Sequence, residues 1–168
     1  MRETLVLTVL GPDRTGLVEA LADRIVAAGG NWESSHMARL AGQFAGIVLV
    51  TVERDHADRV RSALRGLDDL EVSLRVSTPP PPTLGERVRL ELTGADRPGI
   101  VRDVARVLAE RGVNVEELES SVSSAAMSGE PLFTARAVLR LPPQLTLADV
   151  RSGLELLSSE LMVDLTTG

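Results

Sequence analysis

From Leu5 to Leu10 the chain is almost wholly apolar, and beyond it Leu17, Val18, Leu21, Ala22, Ile25 and Val26 recur at helical spacing. The first run predicts a strand over 3–10 and the second a helix over 15–28, stopped by Gly29-Gly30. Residues 31–40 alternate loosely as a second strand, Ala41-Gly42 form a short turn, and 44–52 is apolar enough for a central strand. A helix near 55–66 rests on Ala57, Val60, Leu64 and Leu67. Leu70, Val72, Leu74 and Val76 then alternate with Glu71, Ser73, Arg75 and Ser77, which completes the order β-α-β-β-α-β.

The same pattern returns. Gly11-Pro12-Asp13-Arg14-Thr15-Gly16-Leu17-Val18 reappears as Gly94-Ala95-Asp96-Arg97-Pro98-Gly99-Ile100-Val101, at an offset of 83 residues. Without a gap, that offset also sets Gly29 over Gly112, Asn31 over Asn114 and Glu33 over Glu116. An internal duplication is the simplest reading. The second copy predicts a strand over 86–93, a helix over 98–111 stopped by Gly112, and a strand from Val113. The hairpin turn becomes a serine-rich loop over 120–131, expected to act as a mobile cover or a docking element. Phe133, Ala135, Ala137, Leu139 and Leu141 form the next strand, Thr146 caps a helix with Asp149 three residues on, and 161–166 closes the sheet.

Split β-α-β units of this kind give a four-stranded antiparallel sheet with both helices on one face. The fold class is therefore α+β, as two ferredoxin-like domains. Pro79-Pro80-Pro81-Pro82 cannot serve a sheet and favour an extended, stiff connection. The expected division is a first domain over 1–77, a linker over 78–85 and a second domain over 86–168.

Composition narrows the chemistry. The 168 residues carry 24 acidic and 18 basic side chains, a formal charge of −6 that opposes a nucleic-acid partner. Trp32, Phe44 and Phe133 are the whole aromatic set, too few for a base-stacking platform. Absence of cysteine removes disulfides, Cys-zinc sites and thiol catalysis. No apolar run reaches the roughly 20 residues of a membrane span, and the N-terminus does not read as a signal peptide, so a soluble cytoplasmic protein is expected. His36 lies near Ser34 and Ser35, but no glycine elbow or acidic orienter accompanies them. With His56 the only other histidine, neither a metal nor another cofactor is expected.

The repeated turn offers two readings. Asp13 and Asp96 stand where a helix cap belongs, three residues before Gly16 and Gly99, with Pro98 in the first helical turn of the second copy. A helix start also presents free N–H groups, and a residue without a side chain there lets a ligand carboxylate approach. Capping by the aspartate, with the glycine relieving crowding between strand and helix and nothing bound, is the reading that the spacing alone favours. Asn31 and Asn114, at the start of the following strand, are suited either to tie a turn or to orient an amino acid. The turn is neither a Walker loop nor G-x-G-x-x-G, which argues against nucleotide phosphate.

The topology, Asp96-Arg97-Pro98-Gly99-Ile100-Val101 and Gly112-Val113-Asn114-Val115 resemble ACT domains, small amino-acid-sensing modules of metabolic regulation. Two such domains without an attached enzyme resemble the glycine cleavage system transcriptional repressor family, over nearly the whole chain. The resemblance implies a non-enzymatic regulator that binds a small amino acid, glycine foremost, between ACT domains and acts on a protein partner such as a transcription regulator. It implicates Asp13, Arg14, Gly16 and Asn31 with Asp96, Arg97, Gly99 and Asn114, and leaves room for homodimers paired through ACT domains. A ligand-free ACT scaffold is the alternative, and an enzyme ranks third because no acid-base or nucleophile set is visible.

Overall fold

The computed structural model describes residues 1–67, 69–78, 84–125, 129–159 and 161–167. The chain divides into two compact units, Met1–Pro81 and Pro82–Gly168. The proline run expected as a linker lies outside the described residues.

In the first unit β1 (Arg2–Pro12), α1 (Leu17–Ala27), β2 (Gly30–Leu40), β3 (Gln43–Glu53), α2 (Ala57–Leu64) and β4 (Glu71–Ser77) form an antiparallel sheet of order β2-β3-β1-β4. One turn of 3-10 helix, Arg54–His56, precedes α2. The second unit repeats this with β5 (Glu86–Ala95), α3 (Ile100–Glu110), β6 (Asn114–Ser124), β7 (Pro131–Leu141), α4 (Leu147–Glu155) and β8 (Met162–Thr167), in the order β6-β7-β5-β8. These are the expected ferredoxin-like domains.

Each unit has its own core, on one face of its sheet. Alternation along β1 and β3 sends Leu5, Leu7, Val48 and Val50 to that face, where Leu21 and Ile25 of α1 and Val60 of α2 meet them. In the second unit Val88, Leu90, Leu139 and Leu141 meet Val104 and Leu108 of α3 and Val150 and Leu154 of α4. The buried helix faces are narrower than the apolar stripes: Val18 and Val101 remain 48% and 42% exposed.

The helix termini depart from the sequence expectation at one end and follow it at the other. Gly16 and Gly99, not Asp13 and Asp96, are the N-cap residues of α1 and α3, in the left-handed region at φ 86° and 84°, with no side-chain cap bond. The helices begin just after the glycines, so Pro98 sits in the turn ahead of α3 rather than within its first helical turn. A carboxylate three residues before the glycine is too early to cap once the glycine itself turns the chain. Thr146 caps α4 as expected, its hydroxyl accepting from the Asp149 N–H at 3.2 Å and the Asp149 carboxylate accepting from the Thr146 N–H at 2.9 Å.

The serine-rich segment is the main correction. Ser120 to Ser124 belong to β6, paired in register with Ala135 to Pro131 of β7, and Ser121 Oγ lies 2.9 Å from Thr134 Oγ1. Once Val122 alternates with the flanking serines along a free backbone edge, ladder hydrogen bonds outweigh the weak strand propensity of serine. Only 125–130 connect the strands, and 126–128 lie outside the described residues.

Candidate functional site

Each repeated turn lies at the end of the first strand of its unit, and its side chains are held differently in the two copies. In the first, the Asp13 N–H donates to Gly42 O at 2.9 Å and its carboxylate receives Arg39 Nε at 2.9 Å. Arg14 crosses to Asp69 at 2.8 Å. In the second, the Asp96 N–H donates to Pro131 O at 3.0 Å, and Arg97 turns towards the helix, donating to Asp103 Oδ2 at 2.7 Å. Asp103 also receives Arg102 at 3.2 Å, and Arg106 stands 3.8 Å away. It is the one buried charged residue among those described, 8% exposed.

Asp96 and Arg97 line a pocket of about 120 Å³ together with Ala95 and Ile100, and its opposite wall is Leu157, Ser158 and Leu161. Those wall residues come from the turn between α4 and β8, more than 50 positions away in sequence, and nothing in the repeated motif marks them. A second opening lies between α3 and β6. Val101, Leu118 and Ala135 are among its apolar lining residues, so it has no group to orient a charged ligand.

The asparagines lie at the other end of each sheet. Asn31 is level with Thr51, and Thr51 with Thr4, so Pro12 is eight residues farther along β1, roughly 26 Å at strand rise. Asn114 is level with Arg140 and Arg87, and Ala95 is equally far along β5. Within one unit, no small ligand touches both the turn and the asparagine.

Both second strands carry a bulge at the same place in the repeat, at Glu33 in β2 and Glu116 in β6. Glu33 Oε1 accepts from Asn31 Nδ2 at 2.8 Å and Thr51 Oγ1 at 2.6 Å, which occupies the Asn31 amide. These bonds, that from Thr51 foremost, hold the Glu33 carboxyl below its ordinary pKa. Glu116 instead receives Arg140 at 2.9 Å and Arg87 at 3.0 Å and is lowered first by Arg140. The Asn114 amide has no protein partner among the described residues. The repeat of glutamate at this offset was the sequence signal for these two clusters.

His36 and Ser34 share the helix-free face of β2, while Ser35 points to the other face, and among the described residues no carboxylate is bonded to the histidine. Among the described residues no group of three His, Cys, Asp or Glu side chains is placed to hold a metal ion. No helix among them is long and apolar enough to cross a membrane.

The bond from Arg97 lowers the Asp103 carboxyl from its ordinary value; Arg102 adds to the lowering and burial opposes it. A carboxylate with a depressed folded-state pKa stabilises the fold fully above its unfolded value, about 3.9, and loses that contribution as pH falls through the lower folded value. Arg97→Gln is therefore expected to melt below wild type at neutral pH, with the difference narrowing as pH falls below about 4. Melting curves of both proteins between pH 7 and pH 2.5 check this; a gap that is constant with pH would contradict it.

Comparison with known proteins agrees with this architecture. Residues 3–77 and 88–151 each match an ACT domain family model. The glycine cleavage system transcriptional repressor of Escherichia coli (strain K12) is 26% identical over 161 residues, covering 94% of this chain and 85% of the relative. The crystal structure of an unknown protein from Galdieria sulphuraria is 31% identical, covers 100% of this chain and 99% of its own, and superposes with a TM-score of 0.88. Two matched models, two sheets of the same order and one gap-free repeat agree: the chain belongs to the ACT domain family, with two ACT domains in tandem.

Proposed function

We propose that the protein is a non-enzymatic cytoplasmic regulator that binds a small amino acid at the turn before the first helix of an ACT domain and alters its hold on a protein partner. The observation that carries this reading is the pocket of about 120 Å³ beside α3. There Asp96 and Arg97, of opposite charge, line one small volume, and a carboxylate and a guanidinium are the partners that the ammonium and carboxylate of an amino acid require. Asp13, Arg14 and Gly16 are the corresponding set in the first unit, and Gly99 completes the second. Asn31 and Asn114 stand too far away to touch a ligand held by the turn of their own unit, so their part is tested separately with Asn31→Ala and Asn114→Ala.

The name of the Escherichia coli relative makes glycine the first ligand to try and a transcription regulator of amino-acid metabolism the first partner. Direct binding to nucleic acid is disfavoured by the charge of −6 and by the pairing of arginines on the second sheet. Arg87 and Arg140 are taken by Glu116 and Glu117, and Arg136 lies 3.4 Å from Glu91. A ligand-free scaffold is the second reading, and the first unit favours it, because Asp13, Arg14 and Asn31 each already have a protein partner.

A ligand at a hundred times its dissociation constant adds about 2.7 kcal/mol to the folded state, a readily measured rise in melting temperature. Glycine, serine and the remaining standard amino acids are screened against the full chain, and Asp96→Ala is expected to abolish the rise. A leucine at Gly99 or Gly16 is a poor probe, because a side chain at φ 84° or 86° strains the turn whether or not ligand binds. No rise with any standard amino acid replaces the sensor with the scaffold.

A further inference from the structure

The two copies of the turn are alike in backbone and in charge, but the helices that follow them are not alike in charge. Around α3, three guanidinium groups converge on one carboxylate: Arg97 at 2.7 Å, Arg102 at 3.2 Å and Arg106 at 3.8 Å from Asp103. By position in the repeat, the first unit has Arg14, Glu19, Ala20 and Asp23 in their places, and its one arginine is bound to Asp69. The second cluster therefore carries two positive charges more than its carboxylate neutralises. The first carries none in excess.

That surplus stands where a helix tolerates it least. The first turn of a helix favours anions, and Arg97 and Arg102 add positive charge to the positive end of α3. Asp103 offsets only one of the three. Arg102 and Arg106 share the Asp103 carboxylate but are 78% and 61% exposed at the side chain, so each guanidinium keeps further donors open to solvent. Arg97 also lines the 120 Å³ pocket, so the pocket and the cluster are continuous through one residue.

We infer that the two ACT domains are not equivalent, and that the second alone takes a ligand with a second negative charge: an acidic amino acid. Its ammonium meets Asp96, its α-carboxylate meets Arg97, and its side-chain carboxylate reaches Arg102 and Arg106. A neutral zwitterion such as glycine satisfies the first two contacts and leaves the surplus charge unmatched. This inference rests on the sensor reading for its site and goes beyond it in ligand class and in the number of sites.

Isothermal titration of the full chain with L-aspartate, L-glutamate, glycine and succinate tests it. One acidic amino acid is expected to bind at one site per chain and at least tenfold more tightly than glycine. Arg102→Gln with Arg106→Gln should erase that preference. Arg59→Gln with Arg65→Gln, the same charge change on and beside α2, should retain it. Arg102→Lys, which keeps the charge, guards against a loss that comes only from misfolding. Equal affinity for glycine, two sites per chain, or equal loss in the control pair overturns the inference while leaving the sensor reading intact. Succinate binding that depends on Arg102 and Arg106, with no binding of any amino acid, overturns the inference, because no ammonium is then recognised at Asp96. No binding of any of the four compounds overturns the inference as well.

Discussion

Leu139→Ala is expected to destabilise the second unit by about 3 kcal/mol, within the 2–5 kcal/mol that buried leucine truncations cost. Leu139 is 0% exposed on the central strand β7, between Val88 of β5 and Val115 of β6 in register. Removing its branched end takes away transfer energy and leaves a cavity, because the β5–β7 and β6–β7 ladders hold the backbones that would have to move in. In a unit of this size the loss corresponds to a fall in melting temperature on the order of 10–20 °C. Urea unfolding should show a lower midpoint at an unchanged slope. Leu156→Ala is the control, since that leucine is 85% exposed and its truncation is expected to stay within about 0.5 kcal/mol. A similar effect of both changes would mean that Leu139 is not packed as described.

Gly11→Val is the other large effect, about 2–3 kcal/mol, and it acts beside the first copy of the turn. A Cβ at residue 11 would collide with the carbonyl oxygen of Asp69 and lie 2.9 Å from Leu70 Cδ2. Asp69 also holds Arg14, so the substitution pushes on the ion pair that closes the first turn. Gly42→Ala provides the contrast. Nothing lies within 4 Å of the added carbon there, and only the left-handed φ of 78° opposes it, for about 1 kcal/mol. Comparing the two by chemical denaturation separates collision from backbone strain, and a smaller cost at Gly11 than at Gly42 would contradict the packing of the 69–70 segment against β1.

The residue pattern by itself determined the order of elements, the two-unit repeat and most core positions. Those features follow from periodicity: Leu5 and Leu7 alternate, Leu21 and Ile25 recur at four, and both signals survive in any tertiary context. The capping box at Thr146 and Asp149 was legible for a similar reason, because both partners lie within one helical turn. Neither the extent of β6 nor the capping at Gly16 and Gly99 was legible. Serines read as a loop until a neighbouring strand pairs with them, and an aspartate near a helix start reads as a cap until the glycine adopts the left-handed conformation.

The candidate site divides along the same line. Asp96, Arg97 and their counterparts could be found because they repeat, and Glu33 and Glu116 repeat as well. The tertiary structure alone decided that Arg14 is spent on Asp69 while Arg97 shares a buried aspartate with two further arginines. It also decided that Leu157, Ser158 and Leu161 wall the pocket and that each asparagine lies at the far end of its own sheet. The physical reason is distance along the chain: a periodic pattern tells each residue which side to face, whereas a charge acquires its partner only when separate segments are folded against one another.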